Sequence, residues 1–368
     1  MRIPLQSLIA AGALLLAPAA LRAQDADDTG TDRPPGHWAL NLTIGGTGLS
    51  IGNSARVNGL RINWSDRGLE RVNGINLTLW RPDKHLSGTI NGAALGIVGP
   101  GAEEINGLAL GLGGTVTGRR MRGVSIAGLG VVSQGSIEGV SIAGLGAVAQ
   151  GHLKGISFAG LGVVSEGGIS GIALSGLGTV SQGPMSGIAI AGLGAVAQGG
   201  LTGVGLSGLA VVTQGDLKWL SIAGLATVAQ GDITGLTVSG LATVAQGRVR
   251  GISLNGLALV AEDGVSGAAL GGIAVVSQRS ISGLAASLYK IESPRIAGIS
   301  ICTYLRSRSV SGLGVGLAYN YVRGTFVGLQ IGLVNDTRVL KGVQLGLVNI
   351  ARNNHGLARV LPILNAHL

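Results

Sequence analysis

Few residues in this chain are placed to do chemistry. Gly48-Leu49-Ser50-Ile51-Gly52 fits the G-x-S-x-G pattern of a serine nucleophile, which activates serine only on a tight strand-to-helix turn. With 68 glycines and no helical periodicity, the match is read as chance. Asp216 and Asp232 stand sixteen residues apart. If the chain repeats with that period they stack, and stacked carboxylates can form a cleft dyad or hold a cation. The simpler reading is two solvated turn residues. His37, His85, His152, His355 and His367 show no H-x-x-x-H spacing. One cysteine, Cys302, excludes both a thiolate zinc site and an internal disulfide; it is expected to be a small buried apolar residue. No glycine is followed by lysine, so a Walker loop is absent. The expectation is a protein with no catalytic site, no metal and no cofactor.

The elements that would position any such residue come from a repeat. GVSIAGLGVVSQGSIE, residues 123–138, is followed by GVSIAGLGAVAQGHLK, residues 139–154. Glycine recurs every sixteen residues from Gly107 to Gly283, with Trp219 filling one position. The period loosens outside that block; from Gly59 to Gly356 there are 20 units. Numbering the glycine as column one, apolar residues fill columns two, four, seven, ten and fifteen, as in Val124, Ile126, Leu129, Val132 and Ile137. These are expected to point inward, after a slip of phase at glycine. Ser125, Ala127 and Ser133 would then form a flat outer face of small side chains, suited to self-association or to docking on another flat surface. Column six is glycine from Gly128 to Gly272, read as a corner or a positive φ. Column eight changes from glycine to alanine at Ala210, so it needs smallness rather than special dihedrals.

No face recurs at 3.6 residues, and glycine at this density would cost a helix about 1 kcal/mol each time. Short strands and glycine corners remain. The expected fold is an all-β parallel β-solenoid of about 20 coils, a rod on the order of 95 Å at one strand spacing per coil. The alternative is an outer-membrane β-barrel with one strand and turn per unit. Three features favour the solenoid. Column twelve carries Gln134, Gln150, Gln182, Gln198, Gln214, Gln230, Gln246 and Gln278, which can form a ladder only if successive units stack in register. The only aromatics from residue 107 to 283 are Phe158 and Trp219, too few for barrel girdles. The apolar columns also lack the clean alternation of a membrane strand.

Residues 1–23 read as a signal peptide, with Arg2 before an apolar run from Leu8 to Ala20. Residues 24–35 read as a disordered acidic leader. A single solenoid domain is expected over 36–368, with an N-terminal cap at 36–58, regular repeats at 107–298, irregular repeats at 299–356 and a C-terminal cap at 357–368. Charge is uneven: residues 279–368 hold 10 basic and 2 acidic side chains, while 123–278 hold 4 and 6. The basic end is either a solubilising surface or one that attracts an anionic surface. Nucleic acid is not expected as the partner. Trp219, Arg295, Arg306, Arg308 and Arg323, where the repeat is broken, are the candidate interaction residues.

Two segments near the C-terminus, Gly328-Leu329-Gln330-Ile331-Gly332-Leu333-Val334-Asn335 and Gly342-Val343-Gln344-Leu345-Gly346-Leu347-Val348-Asn349, share the pattern G-x-Q-[IL]-G-L-V-N. This resembles the bacterial surface-repeat proteins first noted in spirochaetes. The clear match covers only residues 328–349; the central units have Ser for Gln and an extra residue before Gly-Leu. The resemblance implies an exported, envelope-associated protein and brings no catalytic residues. The expected function is therefore that of a structural or interaction protein of the bacterial cell envelope, at the cell surface or in the periplasm and outer membrane. A surface polysaccharide-binding or -cleaving β-helix is the remote alternative.

Overall fold

A computed structural model describes residues 38–44 and 47–367; the expected signal peptide and acidic leader lie outside the described residues. The chain is an all-β parallel solenoid of about 18 turns with about 16 residues per turn. Strands one unit apart pair in parallel and in register: Leu153 faces Ile137 on one side and Ile169 on the other. A barrel of consecutive strands would pair them antiparallel, so the barrel alternative is overturned. The glycine count runs slightly high because Gly356 opens a short 3-10 turn, Gly356–Arg359, instead of another coil. The strand that follows, Val360–His367, runs antiparallel to Val334–Ala351. At the other end Ala39–Ile44 is antiparallel to Thr47–Gly52, which then runs parallel to Arg56–Asn63. Each end of the ladder is thus covered by a reversed strand.

One unit shows the path. Ser136–Ala143 is a strand, Gly144 and Leu145 turn a corner, Gly146–Ala149 is a second strand, and Gln150 and Gly151 turn again. A third bend lies inside the longer strand, at column one, where φ runs from 108° to 141° in the glycines from Gly59 to Gly342. That left-handed region explains the regular recurrence of glycine there. Column six needs glycine for a different reason. A Cβ on Gly144 would lie 1.9 Å from the carbonyl oxygen of Gly128 in the coil before it, so close stacking, not a positive φ, excludes a side chain. At column eight a Cβ on Gly146 would meet its nearest neighbour at 3.7 Å, an ordinary contact, and alanine fits.

The direction of the side chains differs from expectation. Val124, Ile126, Leu129 and Val132 are 38, 39, 58 and 36% exposed, whereas Ser125, Ala127 and Ser133 are 1, 4 and 0% exposed. Of the five apolar columns only column fifteen points inward. The expected flat outer face of small residues is in fact the core. The physical reason is parity. A sixteen-residue period is even, and the bend at column one does not change the phase of the alternation. Even columns therefore face out all round the coil and odd columns face in, except at the corners. The interior is narrow: one long side chain per coil, Ile137, Leu153, Ile169, Met185 or Leu201 in column fifteen, faces small residues in columns three, five, nine and eleven. Buried serines and threonines pair with one another, as in Ser141 with Ser157 at 2.5 Å and Thr117 with Ser133 at 2.9 Å. Others hold a corner: Ser165 Oγ donates to the carbonyl of Gly168 at 2.8 Å.

The ends have polar interiors. Near the N-terminus Arg61 and Asp66 form a fully buried ion pair at 3.1 Å, and Asn63, Asn76 and Thr78 all donate to Asp66. Burial lowers the pKa of Arg61, against the pull of Asp66. Near the C-terminus the repeated motif explains itself. Gln344 Nε2 donates to Gln330 Oε1 at 2.8 Å inside the coil. Asn320 donates to Asn335, and Asn335 to Asn349, each at 2.7 Å. The motif glycine makes room for these amides: a Cβ on Gly332 would lie 2.5 Å from Asn320 Nδ2.

Candidate functional site: an amphipathic flank and its basic rim

With the columns oriented, the outer surface divides sharply. Between Gly107 and Ser277 no charged residue occupies columns two to eleven. Every charge in those eleven coils falls in columns twelve, thirteen, fourteen or sixteen, as in Glu138, Lys154, Glu166, Asp216, Lys218, Arg250 and Asp263. Columns two, four, seven and ten present exposed Val, Ile and Leu on two strand faces and the corner between them. Eleven coils at about 4.8 Å, by about 26 Å of strand and corner, make a charge-free surface on the order of 1,400 Å². The largest apolar patch on a typical soluble monomer is roughly 300–600 Å².

Trp219 stands on one border of this flank. It occupies column one, where other units have glycine, at φ 95° and 73% exposed. A side chain held in that region costs on the order of 1–3 kcal/mol, and here no packing in the core is gained for it. At the N-terminal end of the flank Trp64 and Trp80 stack on one another, with ring centres 5.9 Å apart, and both are exposed.

The other border is column twelve, and in the C-terminal coils it turns basic. The register pairs Tyr321 with Asp336 and Val322 with Thr337, so Arg323 and Arg338, next in line, fall in neighbouring coils. Arg352 N donates to the Thr337 carbonyl at 3.0 Å, which places Arg352 above Arg338. Arg308 and Arg323 line one cleft together, with Arg306 and Glu292; Arg323, Arg338 and Arg352 line the next, with Tyr321 and Asp336. Arg308, Arg323, Arg338 and Arg352 are thus a ladder over four coils. Sequence reasoning missed Arg338 and Arg352, although the spacings of 15, 15 and 14 residues match the coil lengths there.

The carboxylates nearby are already engaged. Asp336 accepts two hydrogen bonds from Arg352, at 3.0 and 2.6 Å, and these raise the arginine pKa further. Glu292 pairs with Lys290 at 2.5 Å and with Arg306 at 3.6 Å. Among the described residues Arg308, Arg323 and Arg338 have no acidic partner. Tyr304, Tyr319 and Tyr321 lie beside the ladder with ring centres 5.7 and 5.9 Å apart, and the Arg323 guanidinium is 5.7 Å from the Tyr321 ring. Burial raises the Tyr319 pKa, with Asp336 adding to it.

The remaining candidates separate. Arg295 lies away from the ladder, in a shallow groove with Ser280, Ser282 and Thr325. The column-twelve glutamines stack from coil to coil but stand at an outer corner, and among the described residues no hydrogen bond joins Gln134, Gln150, Gln182, Gln198, Gln214, Gln230, Gln246 or Gln278 to the next. At a corner open to water the amides have no need of one another. Asp216 and Asp232 do not form a dyad. Asp216 accepts the backbone N–H of Asp232 at 3.0 Å and pairs with Lys218 at 3.2 Å, which together lower its pKa. Asp232 in turn accepts the N–H of Arg248 and pairs with Arg250. Each carboxylate caps the coil above it. Ser50 is buried on a strand and bonded to Asn41 and Ser54, far from a nucleophile elbow. Cys302 is buried, which pushes its thiol pKa up to about 12.

No protein-family model, no curated protein and no solved structure matches this chain.

Proposed function

We propose that this is an exported structural protein of the bacterial cell envelope, a solenoid scaffold without a catalytic site that lies with its flank against a lipid surface. One observation carries the reading: over eleven coils the charges and the exposed aliphatic side chains occupy separate sides of the rod. An interfacial amphipathic element has the same division, and its binding scales with the apolar area it buries. The signal-like residues 1–23 and the surface-repeat pattern at 328–349 support the envelope setting.

Vesicle flotation tests the reading. The full-length chain should float with neutral phosphatidylcholine vesicles. Leu161→Asp with Leu193→Asp and Leu225→Asp, three exposed positions of column seven in alternate coils, should abolish flotation and leave the circular dichroism spectrum unchanged. A chain that ignores vesicles and forms a tight dimer in buffer would move the flank from lipid to a second copy. The area is of the size a protein–protein interface needs, so the measurement decides between the two.

A further inference from the structure

We infer that Arg308, Arg323 and Arg338 form a phosphate-binding rail for anionic phospholipid headgroups, seating the C-terminal end of the rod on the lipid surface; the inference rests on the flank reading above.

Three observations converge on it. First, the rail carries uncompensated charge. Coil stacking puts the guanidiniums about one strand spacing apart, ~4.8 Å, where like charges repel. The fold offers two carboxylates here, and both are spent on other cations: Asp336 on Arg352, Glu292 on Lys290 and Arg306. Three exposed guanidiniums are left in a row. Each is a planar fork of donors that fits two oxygens of one phosphate or bridges two phosphates. Oxyanions between them would turn a repulsive stack into an attractive one.

Second, the position fits a headgroup. Column twelve adjoins the side of the coil that carries the apolar column ten. In the regular coils that side is aliphatic; in the C-terminal coils it carries Tyr304, Tyr319 and Tyr321, packed ring to ring beside the rail. Tyrosine and tryptophan concentrate where acyl chains give way to headgroups. Third, the opposite border of the flank carries Trp219, exposed and held at positive φ. Both edges of the apolar surface therefore bear side chains suited to the interface. A soluble polyanion would need the rail alone and would leave the tyrosines and the adjoining aliphatic side, with Leu317, Leu333 and Leu347, facing water. A second copy of the chain would bring arginine against arginine.

The experiment compares vesicles of phosphatidylcholine with vesicles that also contain phosphatidylglycerol, using the full-length chain. Wild type should bind the anionic vesicles more tightly. Arg308→Gln with Arg323→Gln and Arg338→Gln should lower that affinity on the order of a hundredfold while leaving binding to the neutral vesicles unchanged. Arg119→Gln with Arg120→Gln and Arg122→Gln removes the same charge from another part of the rod and should keep most of the preference. The rail is wrong if its triple variant binds anionic vesicles like wild type, or if the control triple loses as much. Tighter binding of inorganic polyphosphate in solution than of any vesicle would overturn the lipid source. Loss of binding to neutral vesicles by wild type would sink the flank reading together with the inference, whereas intact neutral binding without an anionic preference would sink the rail alone.

Discussion

Between Gly107 and Ser277 the coil interior holds serine, threonine, alanine and valine around one long aliphatic side chain, and the outer flank is bare of charge. Between Gly298 and Ala351 the same backbone path encloses Asn320, Gln330, Asn335, Gln344 and Asn349, and the outside carries tyrosines and an arginine ladder. The two regions share strand register and the column-one glycine. They differ in how each corner is held. In the middle, the corner at columns six and seven is two residues, Gly and Leu, closed by backbone stacking. In the C-terminal coils the Gly-Leu pair is kept, the residue before it is dropped, and a buried asparagine adds hydrogen bonds to the corner carbonyls: Asn335 Nδ2 reaches the carbonyl of Leu345 at 3.0 Å and Asn349 Nδ2 that of Gly346 at 2.9 Å. A solenoid can thus be stabilised by small-residue stacking or by an amide ladder, and the choice frees different outer columns for function.

Filling the corner glycine has the largest effect. At the glycine of the middle corner, whose counterpart in the C-terminal coils is Gly332, Gly144→Leu places a side chain. Its Cβ would meet the Gly128 carbonyl oxygen, a backbone atom that cannot move aside. The expected loss is more than about 4 kcal/mol, read as a large fall in the denaturant midpoint. At the second residue of the C-terminal corner, Leu333→Gly removes an exposed side chain and should cost no more than about 1 kcal/mol. Equal costs for the two would mean that the glycine of the pair is not what closes the corner.

How much of this was legible beforehand follows from the same corner. Period, parallel stacking and the need for smallness at column eight are visible in the spacing of glycine and in the change to alanine at Ala210. The orientation of the side chains is not, because hydrophobicity alone sends the large aliphatic residues to the core. That assignment fails when the coil is too narrow for them. The correct phase was nevertheless written in the charges: Glu138, Lys154, Asp216, Lys218 and Arg250 all fall in even columns, which fixes the even columns as outer. The arginine ladder was half visible. Arg308 and Arg323 stood out as breaks in the repeat, but Arg338 and Arg352 emerge only when units of 14 and 15 residues are aligned by register instead of by count. Arg61 stands in column three, an inward column once the phase is read correctly, so the buried Arg61–Asp66 pair is hidden by the same reversal of faces.

The interiors are tested one step more gently. Asn335→Leu removes the central rung of the amide ladder, takes one of the acceptors from Asn320 Nδ2 and leaves Asn349 Oδ1 buried without its donor. A buried polar group left unsatisfied costs about 1–3 kcal/mol and a lost hydrogen bond about 1 more, so a loss of roughly 2–4 kcal/mol is expected by chemical denaturation. Ser157→Ala, at an equally buried position in the middle, loses one hydroxyl contact to Ser141 and should cost at most about 1 kcal/mol. A large effect at Ser157 would show that the middle, too, depends on polar contacts within the core.

Cys302 reports on the boundary between the regions, because it faces inward in the first of the C-terminal coils. Burial raises its pKa from the ordinary 9.0 to about 12. The folded thiol therefore stays protonated while the unfolded one ionises, and the stability this supplies is complete below pH 9 and declines as pH rises toward 12. Relative to Cys302→Ala, wild type should lose stability across that window, with a limiting slope of about 1.4 kcal/mol per pH unit, and the two should run parallel below it. At neutral pH the same thiol becomes a local probe. Neighbouring coils are coupled only through their shared faces, so a weakened region can open without the rest. Alkylation of Cys302 should be slow in wild type, faster in Asn335→Leu, and unchanged in Ser157→Ala, whose site lies nine coils away along the ladder. Equal acceleration by both substitutions would mean that the rod unfolds as one unit, and the division into two differently stabilised regions would then hold for contacts but not for cooperativity.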